Sequence, residues 1–187
     1  MNARSNLILI GPMGVGKTTH GKWLARQLGK AFVDLDADIE NRTGARIADI
    51  FELEGEAGFR RRESEALARV LSEDDQVIAT GGGAVLNEDN RALMQQRGVV
   101  VHLHIPPEQQ LQRLANDRKR PLLQSEDRAG RLQQLYEVRT PLYRGCANLS
   151  LDLSRMPMSR IRPHLLIRPH LLQAITEYRN TMEPPHA

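Results

Sequence analysis

Asn6 to Thr18 reads NLILIGPMGVGKT. Its first half is a short unbroken apolar run, Leu7 to Ile10, stopped by Gly11, which is the pattern of a strand buried on both faces in a parallel sheet. Its second half, Gly11 to Thr18, is a full match to G-x-x-x-x-G-K-[ST], and Lys17 to Leu28 then carries apolar residues at helical spacing. Strand, glycine-rich loop and helix in that order build a phosphate-binding loop. The glycines let backbone amides wrap the phosphates, Lys17 reaches the transferred group, and the Thr18 hydroxyl can ligate magnesium. Gly14, Val15, Gly16, Lys17, Thr18 and Thr19 are therefore the candidate nucleotide contacts.

Outward from this stretch the same alternation continues. Further strands are expected at Ala31 to Val33, Val77 to Thr80, Val99 to Ile105 and, more weakly patterned, Leu149 to Leu153. Helical spacing appears at Ile47 to Glu54, Phe59 to Leu71, Glu88 to Gln96, Glu108 to Leu114 and Arg128 to Arg139. Strands alternating with helices predict an α/β fold, a central parallel β-sheet of about five strands flanked by helices on both faces. Ligands of such sheets collect beyond the carboxyl ends of the strands, where every informative motif here falls. The length of 187 residues is expected to form one domain with a real core.

Composition narrows the function. With 40% hydrophobic and 26% charged residues and no apolar run near the ~20 residues of a span, membrane insertion is not expected. Met1 to Leu9 lacks the features of a secretory signal, so a cytoplasmic location is expected. The single cysteine, Cys146, permits no intrachain disulfide or thiolate cluster and is read as a packing residue. Arginines crowd at Arg60 to Arg62 and Arg113 to Arg120, but aromatic residues make up only 4%, so small anions are expected as partners rather than nucleic acid.

Other strand ends carry chemistry. Asp34 and Asp36 are separated by one residue, so continued strand geometry would turn both carboxylates to one face. That pair suits one carboxylate for organising magnesium and one for holding an acceptor hydroxyl; in phosphoryl transfer such positioning does most of the catalytic work. Arg60 and Glu63 are spaced i,i+3, and pairing would fix the guanidinium for bidentate capture of a carboxylate, whereas Arg61 and Arg62 read as a solvated face. Gly81, Gly82 and Gly83 would let a ligand approach the backbone. Asn116 to Arg128 is polar, basic and without strong periodicity, as in a mobile lid. Ile161 to Leu166 reads IRPHLL and is repeated unchanged at Ile167 to Leu172, a local duplication with no function assigned; the last helix is expected to start near Pro169.

In order, GPMGVGKTT, DLD, TGARIADIF, GFRRRE, GGGAV, RPLL and RTPLY resemble the pattern of the shikimate kinase family, from about Asn6 to Leu153. The resemblance implies a P-loop kinase fold with an acceptor-binding segment at about 35–63 and a lid at about 116–128. It implies transfer of the γ-phosphoryl group of MgATP to the 3-hydroxyl of shikimate, by a monomer with Mg²⁺ as its cofactor. Lys17, Asp36 and Arg120 are implied as catalytic, Thr18 and Asp34 at magnesium, and Asp36 at the acceptor hydroxyl. Arg60 and Arg139 match the arginines at the substrate carboxylate, Gly82 and Gly83 lie beside the ring, Arg120 is the lid arginine at the phosphates, and Arg113 lies near adenine. Phe51 and Phe59 fall where the family places apolar pocket walls. His20 stands where the family commonly has a small aliphatic residue, and the IRPHLL repeat has no counterpart. Two rival readings are a gluconate-type or nucleotide kinase and a nucleotide-binding module without catalysis. GFRRRE and RTPLY argue against the first, and the joint presence of Lys17, Thr18, Asp34, Asp36 and Arg120 against the second.

Overall fold

The computed structural model describes residues 6–115, 127–154, 169 and 172–177. Five parallel strands form one sheet in the order β2-β3-β1-β4-β5: β1 Asn6–Ile10, β2 Ala31–Asp34, β3 Gln76–Ala79, β4 Gly98–His104 and β5 Leu149–Asp152. β1 lies between β3 and β4, pairing Leu7 with Val77 on one side and with Val99 on the other. Its whole length is buried, because alternate residues serve different faces. Ile8 and Ile10 join Ile78 and Val100 beneath one helical layer, while Leu7 and Leu9 join Val77, Val101 and Leu103 in the other. Ile8, Leu9 and Ile10 are fully buried, each contributing on the order of 1.5 to 3 kcal/mol.

The helices are α1 Lys17–Leu28, α2 Leu35–Thr43, α3 Ile47–Val70, α4 Glu88–Arg97, α5 Pro107–Arg113 and α6 Arg128–Cys146. Residues of α1 and the helical residues Leu172 and Ile175 cover one face; residues of α2, α3, α4 and α6 cover the other. The fold class, strands and most helices meet the sequence expectation, with three differences.

The first is α2, which apolar spacing did not reveal because only Leu35 and Ile39 of its nine residues are buried. Asp34 caps it, its carboxylate accepting from the Ala37 amide at 3.3 Å, and Asp36 and Asp38 in the first turn suit the positive helix end. The chain therefore leaves strand geometry at Asp34, and the expected alternation of Asp34 and Asp36 along one strand face is corrected. In the second, the segments expected at Ile47 to Glu54 and Phe59 to Leu71 are the two limbs of α3, interrupted at Gly55, where φ is 69° and ψ −177°. In the third, α6 runs through Pro141 instead of stopping at Arg139, because buried Tyr143 and Cys146 hold its last turns in the core. Cys146 is a packing residue there, its thiol pushed up to about 11 by burial. The expected lid at Asn116 to Arg128 lies outside the described residues except for its last two positions, and Arg120 and most of the IRPHLL repeat lie outside them as well.

Candidate active site

The loop between β1 and α1 needs glycine for its shape: Gly14 and Gly16 hold positive φ of 76° and 100°, which a Cβ disfavours. α1 follows with no acidic residue in its first turn, so its positive end is open to an anion. Lys17 is buried, and its Nζ donates to the carbonyls of Gly11 at 2.7 Å and Pro12 at 3.0 Å, curling the ammonium back over the loop. α5 braces the loop from outside. Gln110 Nε2 donates to Met13 O at 3.0 Å, and Arg113 Nη1 to Val15 O at 3.2 Å. Gln110 carried no sequence signal, since a polar residue on a short helix reads as exposed.

Thr18 and Thr19 are exposed in the first turn of α1. The Thr18 hydroxyl donates to Asp34 Oδ2 at 2.6 Å, so the loop helix and the end of β2 meet in a hydroxyl–carboxylate pair. Among the described residues no group of three or more His, Cys, Asp or Glu side chains could hold a metal. The described residues thus form no all-protein cage but offer hard oxygen donors beside the phosphate loop. This donor set fits Mg²⁺, which commonly takes one or two protein oxygens, substrate phosphates and waters.

Across the sheet end stands the turn Gly81–Gly83, after β3. Thr80 ties it to β1, its amide and its hydroxyl each reaching Leu9 O at 3.1 Å. A Cβ at Gly82 would lie 3.5 Å from Met13 N and 3.6 Å from Gly11 O, so this turn abuts the phosphate loop. A Cβ at Gly83 would overlap the Arg60 guanidinium, and one at Gly81 would press on Glu63 and Asp36. Asp36, Arg60 and Glu63 therefore crowd the same turn, and bare glycine backbone is what admits them.

Arg60 Nη1 donates to Glu63 Oε2 at 2.6 Å, the i,i+3 pair expected from spacing, and Arg60 Nη2 donates to Glu56 at 3.0 Å. Glu63 is 1% exposed; burial raises its carboxyl, with the Arg60 charge working against that shift. Burial alone would lower the Arg60 guanidinium, but Glu63 and Glu56 leave it raised. Arg62, expected as a solvated face, reaches across the Gly55 break to Glu54 at 2.6 Å. Phe51 and Phe59 pack together with centroids 4.7 Å apart, and the Arg60 Cζ lies 5.2 Å from the Phe59 ring.

Arg139 approaches the same turn from α6. It is 5% exposed, burial lowers its guanidinium pKa, and Nη1 donates to Gly82 O at 3.2 Å, while Nε is buried without a partner among the described residues. A guanidinium stays cationic at ordinary pH, so this is a buried cation with a donor to spare. A cleft lined by Pro12, Met13, Arg139, Thr140 and Tyr143 opens between the loop and α6. The structure thus brings Lys17, Thr18, Asp34, Asp36, Arg60, Gly82, Gly83, Arg113 and Arg139 to one end of the sheet; Arg120 lies outside the described residues.

A family model described as Shikimate kinase matches residues 13–168. A Shikimate kinase of Stenotrophomonas maltophilia (strain K279a) is 51% identical over 168 residues, 90% of this chain and 93% of that protein. One of Burkholderia pseudomallei (strain 1710b) is 50% identical over 150 residues, 80% of this chain and 82% of that protein. Among solved structures, shikimate kinase from Acinetobacter baumannii in complex with shikimate superposes with a TM-score of 0.84 at 44% identity, covering 93% of this chain and 94% of that one. The sequence motifs, the sheet order and these likenesses agree: the chain belongs to the shikimate kinase family.

Proposed function

We propose that the chain, acting as one kinase domain, transfers the γ-phosphoryl group of MgATP to the 3-hydroxyl of shikimate, giving ADP and shikimate 3-phosphate. One observation carries the choice of acceptor: two arginines from separate elements, Arg60 on α3 and Arg139 on α6, converge on the bare Gly81–Gly83 turn beside the phosphate loop. Two guanidinium groups at one place suit a compact carboxylate, for which Arg139 keeps Nε without a partner among the described residues, and a neutral sugar or nucleoside offers them no charged acceptor.

In this reading the loop amides of Gly14, Val15 and Gly16, with Thr19 and the end of α1, hold the phosphates. Lys17 exchanges its carbonyl partners for the transferred group, Arg113 lies at the adenine, and Arg120 at the phosphates. Thr18 and Asp34 would hold Mg²⁺, which when bound neutralises phosphate charge. Asp36 holds the acceptor oxygen in line with the γ-phosphorus; as the new P–O bond forms and the bond to ADP breaks, the hydroxyl proton passes to the Asp36 carboxylate. Positioning and charge stabilisation supply most of the acceleration. The test is ADP release from MgATP with shikimate, gluconate or a nucleoside monophosphate as acceptor. Shikimate is expected to be fastest by a wide margin, and a faster rate with either rival overturns the assignment.

A further inference from the structure

Tyr143 belongs to none of the roles above, yet it is almost wholly buried against the site. It sits one helical turn beyond Arg139, so the two side chains leave α6 on the same face. They meet at one atom: the Tyr143 hydroxyl donates to Gly82 O at 2.5 Å, and Arg139 Nη1 donates to the same oxygen at 3.2 Å. Behind the phenol, the His102 ring stacks at 5.1 Å, backing the tyrosine with a second buried ring on β4. Three consecutive glycines make a turn whose peptides can flip at little steric cost. A flip of the Gly82–Gly83 peptide would exchange the places of the Gly82 carbonyl and the Gly83 N–H, and a carbonyl oxygen in the place of that N–H is a repulsive neighbour for a carboxylate. In a planar trans peptide the Gly83 N–H lies opposite the Gly82 carbonyl, so anchoring that carbonyl on α6 turns the N–H away from α6.

We infer that Tyr143 is a positioning residue for the acceptor: with Arg139 it clamps the Gly82 carbonyl, holding the Gly82–Gly83 peptide in the one orientation that receives a carboxylate-bearing ring. The inference rests on the acceptor role of Gly82 and Gly83 proposed above. Burial pushes the Tyr143 phenol up to about 12, so the hydroxyl keeps its proton across the working pH range.

The experiment compares the full chain with Tyr143→Phe, which keeps the ring and its stacking but loses the donor. The Michaelis constant for shikimate is expected to rise about tenfold, the worth of one lost buried hydrogen bond, with that for MgATP little changed. On glycine-selective ¹⁵N labelling, the Gly83 amide signal of the unaltered protein should move when shikimate is added, and in Tyr143→Phe it should move less or divide into two. Carrying 4-aminophenylalanine, a weaker donor, at position 143 should give an intermediate Michaelis constant, and decides the matter alone if the phenylalanine protein does not fold. Unchanged shikimate constants with an unchanged Gly83 response overturn the clamp. No Gly83 response in the unaltered protein overturns the acceptor reading on which it stands.

Discussion

At the scale of the residue, two of the site's charged groups combine burial with unfinished hydrogen bonding. Arg139 and Glu63 are 5% and 1% exposed, and each keeps a buried polar atom without a partner among the described residues. Such groups are costly unless a ligand completes them. Arg60→Lys and Arg139→Lys keep the charge but lose the planar fork, so each is expected to weaken shikimate use by about ten- to a hundredfold. The constant for MgATP should hardly move, and equal defects for both substrates would remove these arginines from carboxylate recognition. His102 gives a second residue-scale outcome. Burial, with smaller contributions from the charges of His104, Arg144 and Lys17, lowers it from 6.5 to about 4. Between those values the unfolded chain binds a proton that the folded chain refuses, so stability rises with pH there. The contribution is complete above 6.5 and lost as pH falls through about 4, on the order of 3 kcal/mol. In His102→Gln, urea unfolding should show a flatter rise in stability between pH 4.5 and 7, and a slope equal to that of the unaltered protein would contradict this account.

At the scale of the element, α3 is the informative case. Its two limbs were readable from apolar spacing, and the break falls on a glycine because φ of 69° with ψ of −177° is a backbone region that other residues scarcely enter. A Cβ at Gly55 would meet no atom within 4 Å, so the strain of Gly55→Ala is purely conformational. The substitution is expected to cost about 1 to 3 kcal/mol and, because Arg60 rides on the second limb, to raise the shikimate constant as well. Thermal melts and kinetics together check it; an unaffected melting temperature would mean that the break is not enforced by the glycine. α2 shows the opposite situation. Its helix is made by the Asp34 cap, the acidic first turn and an Asp38–Arg69 ion pair to α3, contacts that no hydrophobic period announces.

At the scale of the whole molecule, the phosphate loop is braced by α5 and the acceptor turn is held by α3 and α6, while Met13 of the loop packs with Leu132 of α6, so the two sites share one framework. Both ligands should therefore stabilise the fold together. At a hundredfold excess over its dissociation constant a ligand adds about 2.7 kcal/mol, so MgATP and shikimate should each raise the melting temperature by several degrees. No shift with shikimate, alone or beside MgATP, would count against the acceptor. The sheet, its parallel sense and the phosphate loop were determined by the sequence itself, because buried strands and P-loop geometry depend on local apolar runs and on glycines at set spacing. The pairing of Arg60 with Glu63 was equally local, three residues apart on one helix. What only the tertiary structure decided is the meeting of Arg60 with Gly83, and of Arg139 and Tyr143 with Gly82. Those contacts join residues far apart in the chain and depend on how α3 and α6 pack on the sheet, and no local spacing encodes a distance across two packed layers.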